Sequence, residues 1–194
     1  MLASASPARR ALLKSAGIEA HVVVSGVDES VVEDDRPEVL CLSLARLKAT
    51  AVAEQTTTPA LVLGCDSVLA FDGQVFGKPA DAEDATARWQ KMRGRSGVLH
   101  TGHHLVDTAS GRTAERTAST TVHFADLADD EIAAYVATGE PLQVAGAFTI
   151  DGLGGPFVER IEGDHGTVVG LSLPLLRRLL ADLGIPITDL WSVR

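Results

Sequence analysis

The 194-residue chain has only two cysteines, Cys41 and Cys65, and few aromatic residues: five Phe, two Trp and one Tyr. Two thiols in apolar settings, at no metal-ligand spacing, exclude a disulfide scaffold and a thiolate zinc site. They read as reduced, buried groups of a cytoplasmic protein. So few rings provide no platform for stacking the bases of single-stranded nucleic acid. Positive charge is scarce too. Seventeen Lys and Arg stand against 26 Asp and Glu, a formal net charge of -9, which argues against nucleic-acid polymers and anionic membranes as partners. No apolar run approaches membrane-spanning length, and no charged-then-apolar leader precedes a cleavage site. The expectation is a soluble, intracellular protein. Familiar nucleotide and nucleophile signatures are also missing. There is no Gly-x4-Gly-Lys-Ser/Thr loop and no Gly-x-Ser-x-Gly elbow, and Gly152-Leu153-Gly154-Gly155 is turn-rich rather than a dinucleotide fingerprint. Covalent catalysis is not indicated.

What is present is ordinary globular material, 45% apolar and 22% charged. The length suits one domain over residues 1–194, or one domain with two lobes. Met1–Ala3 reads as the tail of a short strand. Ser6 then caps a helix with Pro7 at its first position, Leu12, Leu13 and Ala16 on its apolar stripe, and Gly17 at its end. Ala20–Ser25 reads as strand and the acidic stretch 28–35 as loop. Pro37 starts a second helix with Leu40, Leu44, Leu47 and Ala51 at helical spacing. A buried strand, Ala60 to Cys65, ends at Asp66, and Asp72-Gly73 marks a hairpin. Asp81 caps a third helix that stops at Gly94. Val98–Thr108 and Thr113–Ala125 read as long strands about the Ser110-Gly111 turn, rich in Thr and Val. A helix over 129–138, a strand over 144–150, the segments 157–161 and 167–171, and a helix on Leu175, Leu176, Leu179 and Leu180 complete the chain. The expected class is α/β with a sheet that is only partly parallel.

Chemistry concentrates at a few places. Asp66 closes an apolar strand, and ligand sites of open α/β sheets form at the carboxyl ends of strands. A carboxylate there, with Lys78 in Gly77-Lys78-Pro79 and a second acid upstream, suits a divalent cation holding a polyphosphate. Ser4-x-Ser6-Pro7-x-Arg9-Arg10 lies at a strand-to-helix junction. The unpaired N–H groups of a helix start attract phosphate, and two hydroxyls with one or two arginines would extend that cradle. Asp28 or Glu29 offers a second metal carboxylate, or else a solvated charge run. Lys48 borders the buried face of its helix, either snorkelling to solvent or aimed at a phosphate. His100, His103 and His104 have no carboxylate completing a ligand set and read as core and surface histidines.

Taken together, four blocks resemble the Maf (septum formation inhibitor) family of nucleoside triphosphate pyrophosphatases. They are the segment from Leu2 to Leu13, Leu44-Ala-Arg-Leu-Lys-Ala49, Gly64-Cys-Asp-Ser-Val68 through Gly77-Lys-Pro79, and Gly139-Glu-Pro141 through Ala145-Gly146 to Gly170-Leu171. They span nearly the whole chain in the family's order. The resemblance implies a mixed sheet with two lobes flanking a cleft, as in inosine triphosphate pyrophosphatases. It also implies a homodimer, a divalent cation (Mg²⁺ or Mn²⁺), and hydrolysis of a nucleoside triphosphate to monophosphate plus pyrophosphate, with clearance of non-canonical nucleotides as one use. The family's presumed proton acceptor falls on Asp66, and its phosphate- and metal-contacting positions fall on Ser4, Arg9, Glu29, Lys48 and Lys78. Glu29 and Asp66 would hold the cation, while Ser4, Ser6, Arg9, Arg10, Lys48 and Lys78 would face the phosphates.

The chain departs from the family pattern at Ala8, Ser67, Phe148 and Asp151. The segment 148–155 looks more like an actinobacterial branch than the branch that prefers dTTP and UTP. The start is short by a few residues relative to the family, as a late-called start codon would leave it, so the first strand is expected to be weakened. The rival expectation is a regulator of septation that binds nucleotide or a division partner without turnover.

Overall fold

The structure, a computed structural model, describes residues 1–192. Its helices are α1 (Pro7–Ser15), α2 (Pro37–Gln55), α3 (Ala82–Met92), α4 (Asp129–Ala137), α5 (His165–Val169) and α6 (Leu173–Asp182). Five strands, β1 (Leu61–Phe71), β2 (Gln74–Phe76), β3 (Ser96–Asp107), β4 (Thr113–Phe124) and β5 (Val158–Glu162), form one sheet in the order β2-β1-β3-β4-β5. β1 with β2 and β4 with β5 pair antiparallel. Leu2 adds single parallel bridges to Val22 and to Leu63, which makes the β-structure mixed.

Local chemistry explains most boundaries. Ser6 Oγ accepts from Arg9 N at 3.4 Å and Pro7 occupies the first turn of α1, a helix start that removes one orphan donor and satisfies another. Asp81 does the same for α3, accepting from Asp84 N at 2.9 Å. The β1–β2 hairpin turns on Asp72 and Gly73 at φ of 50° and 72°, the left-handed pair that a two-residue turn of this hand requires.

By internal packing the chain divides into two compact units, one of residues 1–66, 101–118 and 170 onward, the other of residues 67–100 and 119–169. The core of the first gathers Leu2, Leu13, Leu63, Cys65 and Leu105 with Leu175, Leu176, Leu179 and Leu180 of α6. α2 lies on this unit's strands along a stripe of small residues. A side chain at Gly64 would place its Cβ 2.2 Å from Ala45 O, and one at Gly102 would place it 2.3 Å from Cys41 O. Cys41, Ala45 and Ala49 recur every four residues and are fully buried, so the helix backbone rides directly on the two glycines.

The core of the second unit is built around Trp89. Its ring meets Phe124 edge-on at 5.6 Å and Tyr135 at 5.8 Å, and its Nε1 donates to Ala147 O at 2.8 Å. Edge-to-face pairs of this kind are favoured over face-to-face stacking.

Three expectations are corrected. Asp66 does not end its strand: Ser67 to Phe71 stay extended and β2 pairs with Leu69, Ala70 and Phe71, so Asp66 is a mid-strand residue. Ala20–Ser25 contributes only the bridge at Val22. The segment 144–150 is not a strand, because Gly146 and Ala147 take left-handed φ of 73° and 59° and break extension into a 3₁₀ turn over Ala145–Ala147. The segment 167–171, given no type from sequence, begins within the helix α5, whose start is held by Asp164 Oδ2 accepting from Thr167 N and Oγ1 at 2.9 and 3.0 Å. The long strands about Ser110-Gly111, and the helices expected near 7, 37, 82, 129 and 173, form as anticipated.

Candidate active site

The first unit collects most of the residues singled out from sequence. Asp66 points from the middle of β1 with its side chain 13% exposed, while its neighbour Cys65 faces the core. Lys48 comes from α2, three residues beyond the Ala45 carbonyl that packs on Gly64. The close fit of helix on strand brings its ammonium to within 2.5 Å of Asp66 Oδ1. The same Nζ lies 2.9 Å from Glu29 Oε1. Lys48 is only 11% exposed at its side chain and therefore does not snorkel to solvent.

Glu29 opens a 3₁₀ turn, Glu29–Val31, whose start is capped by Asp28. Asp28 Oδ1 accepts from Ser30 N at 3.0 Å and from Ser30 Oγ at 2.7 Å. Local sequence left the two acids open and the family resemblance pointed to Glu29; in the structure Asp28 shapes the turn and Glu29 reaches the lysine.

Burial pushes the Asp66 carboxyl above its ordinary value, because an ionised group loses its water there. The charges of Lys48 and Arg9 and the Lys48 hydrogen bond pull in the other direction, and Glu29 adds to the rise. The net displacement is upward. A carboxylate held in place, largely dry and with its pKa raised is of the kind that can accept a proton.

Arg9 and the two serines form a buried frame beside it. Arg9 Nε donates to Gly170 O at 2.7 Å, and its NH1 donates to Ser4 Oγ at 3.0 Å and to Cys65 O at 2.8 Å. Ser4 Oγ also accepts from Ser6 N at 3.2 Å. The sequence placed Arg9 at a phosphate. The structure gives it a further duty that spacing did not reveal, that of tying the carbonyl just before Asp66 to α1 and to the Gly170 turn. Arg10 is exposed on the next face of α1 and shares with Ser6 and Lys14 a surface concavity of about 530 Å³. Lys78 is exposed and follows β2 in the second unit.

The histidines stay out of this group. His103 is fully buried and its Nε2 accepts from Ser172 N at 2.9 Å at the start of α6. His104 Nδ1 lies 2.7 Å from Glu115 Oε2, with Arg46 on the same carboxylate. Burial lowers the His104 pKa in spite of that carboxylate.

Glu140 is a polar centre that the sequence reading quoted without giving it a role. Its Oε1 accepts from Thr149 Oγ1 at 2.6 Å, Tyr135 OH at 3.0 Å and Gly154 N at 3.1 Å, and its Oε2 accepts from Leu153 N at 3.0 Å. One carboxylate therefore shapes the turn-rich segment that follows Phe148. The only local signal was its setting after Gly139, whose φ of 75° is left-handed.

Two carboxylates converging on one cation position are hard oxygen donors. Among the described residues no group of three or more His, Cys, Asp or Glu comes together as a metal cage. That set does not fit a closed tetrahedral site. It fits Mg²⁺ or a similar cation, which keeps waters and completes its shell with substrate phosphates.

Comparison with known proteins adds an independent line. A family model described as Maf-like protein matches residues 1–183. A nucleoside triphosphate pyrophosphatase of Salinispora tropica is 73% identical, over 99% of this chain and 87% of that protein. One of Streptomyces coelicolor is 63% identical over 99% and 94%, and one of Nostoc punctiforme is 54% identical over 99% and 97%. A crystal structure of a nucleoside-triphosphatase / dITP/XTP pyrophosphatase from Mycobacterium abscessus aligns over 96% of this chain and 97% of its own, with a TM-score of 0.41 and 15% identity. So distant a likeness carries no argument.

Proposed function

The chain belongs to the Maf family, and on that premise we propose that it hydrolyses nucleoside triphosphates to the monophosphate and pyrophosphate, with Asp66 as proton acceptor. The observation that carries this reading is the Lys48 ammonium 2.5 Å from a largely buried Asp66 carboxylate. A protein that only bound nucleotide would have no use for a raised carboxylate held in this way beside the phosphate-binding frame.

In the proposed reaction Asp66 accepts a proton from a water whose oxygen attacks the α-phosphorus. The bond from that phosphorus to the α–β bridging oxygen breaks, and the electron pair leaves with pyrophosphate. Lys48 sets its positive charge against the phosphates, and Arg9 holds the Cys65 carbonyl and so the stretch of β1 that carries Asp66. Glu29 and Asp66 would hold a divalent cation, which supplies charge neutralisation at the phosphate oxygens. Arg10 is the exposed cation of the first unit offered to the outer phosphates, and for Lys78 a phosphate-binding role rests on the family resemblance alone. Most of the acceleration is then positioning and electrostatics.

The same reading includes Mg²⁺ or Mn²⁺ as the cation, a homodimer and a cytoplasmic setting. The first two rest on the family resemblance. For the setting, two buried free thiols agree, and among the described residues no helix is long and apolar enough to cross a membrane.

The test is product formation from a panel of common and modified triphosphates, with Mg²⁺ or Mn²⁺ and with chelator. Pyrophosphate appearing only with metal is the expected result, and its absence across the panel from a folded chain overturns the reading.

A further inference from the structure

We propose that the Lys48 ammonium and the divalent cation compete for the same two carboxylates, so that the cation binds together with the triphosphate and not ahead of it. The inference rests on the pyrophosphatase reading above. Nζ lies 2.9 Å from Glu29 Oε1 and 2.5 Å from Asp66 Oδ1. Mg²⁺ needs such oxygens at about 2.0–2.1 Å, closer than an ammonium holds them. One gap between two oxygens does not admit both cations. Their mutual repulsion is also poorly screened, because the Lys48 and Asp66 side chains are 11% and 13% exposed.

The two carboxylates differ in how they can respond. Asp66 is fixed in a central strand. Glu29 sits on a short turn with its side chain 53% exposed, free to follow an incoming cation. Lys48 has somewhere else to go only when phosphate is present. Its ammonium has three donors and no acceptor, its four-carbon stem is flexible, and a phosphate oxygen forms a charge-assisted bond as strong as the one it gives up. A triphosphate therefore draws Nζ away, frees both carboxylates and delivers the cation they take. Among the described residues no group of three or more His, Cys, Asp or Glu offers the cation an alternative.

The experiment is a Mn²⁺ titration of the full chain, read by calorimetry and water-proton relaxation rather than by turnover. It is run without nucleotide and then with an α,β-methylene triphosphate, whose α–β linkage cannot be cleaved. Without nucleotide, Lys48→Met is expected to bind Mn²⁺ at least tenfold more tightly than the wild type, and Glu29→Gln in that background to lose the gain. In the wild type the analogue is expected to tighten Mn²⁺ at least tenfold, and by linkage Mn²⁺ tightens the analogue equally. Equal Mn²⁺ affinity of wild type and Lys48→Met without nucleotide overturns the proposal. Should Lys48→Met not fold by circular dichroism, the wild-type arm decides, and Mn²⁺ affinity indifferent to the analogue overturns it. Failure of the parent reading looks different: no pyrophosphate from any triphosphate, whatever the Mn²⁺ affinities.

Discussion

Lys48 Nζ stands 2.5 Å from Asp66 Oδ1, yet burial rather than the lysine decides the direction in which the Asp66 carboxyl moves. The lysine fixes the position of the carboxylate and pulls its proton affinity down, but by less than burial raises it. Replacing Asp66 with Asn keeps the shape and an acceptor for Lys48 but removes the proton acceptor. Turnover is expected to fall roughly a hundred- to ten-thousand-fold, while circular dichroism and thermal midpoint show a folded protein. Near-normal turnover would remove Asp66 from its role.

The same displacement sets a pH dependence. An acid whose folded pKa is raised is protonated, and idle as a base, over a wider acid range. The acid limb of kcat/KM is therefore expected above the ordinary carboxylate value of 3.8. Glu29 contributes to the rise, so Glu29→Gln moves that limb to lower pH, whatever it does to the maximal rate. For stability the sign is opposite to that of a paired surface acid. The contribution of Asp66 is fully present below its unfolded pKa and is lost as pH rises through the folded one. Asp66→Asn should thus gain stability relative to wild type at neutral pH and not at pH 3, as denaturant titrations at the two pH values will read.

The seat of α2 is a second point of attack. A Cβ at Gly64 would meet Ala45 O at 2.2 Å and Ala49 Cβ at 2.9 Å, contacts that only a shift of the helix relieves. Gly64→Ala is expected to cost about 1–3 kcal/mol in urea denaturation and to lower kcat by moving Lys48. Gly77→Ala is the control: it has open space around it and should leave the midpoint almost unchanged.

Glu140 gives a prediction for the second unit. Its carboxylate accepts from Tyr135, Thr149, Leu153 and Gly154. Glu140→Ala strands donors that are partly buried, at about 1–3 kcal/mol. Hydrogen exchange at the Leu153 and Gly154 amides should accelerate well before that at the strands β3 and β4. Unchanged exchange at those two amides would sink the idea that this side chain holds the segment.

Much of this was legible in the sequence because it rests on short-range chemistry. Ser6-Pro7 and Asp81 cap helices wherever they lie, Asp72-Gly73 turns a strand because of its allowed φ, and Thr- and Val-rich runs extend. The places where reading along the chain went wrong are those where a distant contact overrides local preference. Val144 to Ile150 looks like a strand, but Gly146 gives its N–H to Gly77 O, and Ala147 O takes the Trp89 indole. These contacts hold two left-handed residues in the middle of the run. Asp66 looked like a strand end because a charge follows an apolar run; its burial is tolerable only because Lys48 and Arg9 lie nearby.

The sequence by itself determined the residue types and their order: an acid after an apolar strand, a lysine on the buried side of a helix, serines and arginines at a helix start. It could not say that Arg9 would be sunk against three oxygens, or that one ammonium would join two carboxylates. Those were decided by tertiary structure. Two glycines without side chains let α2 settle on the strands, and that contact carries Lys48 to an aspartate eighteen positions away.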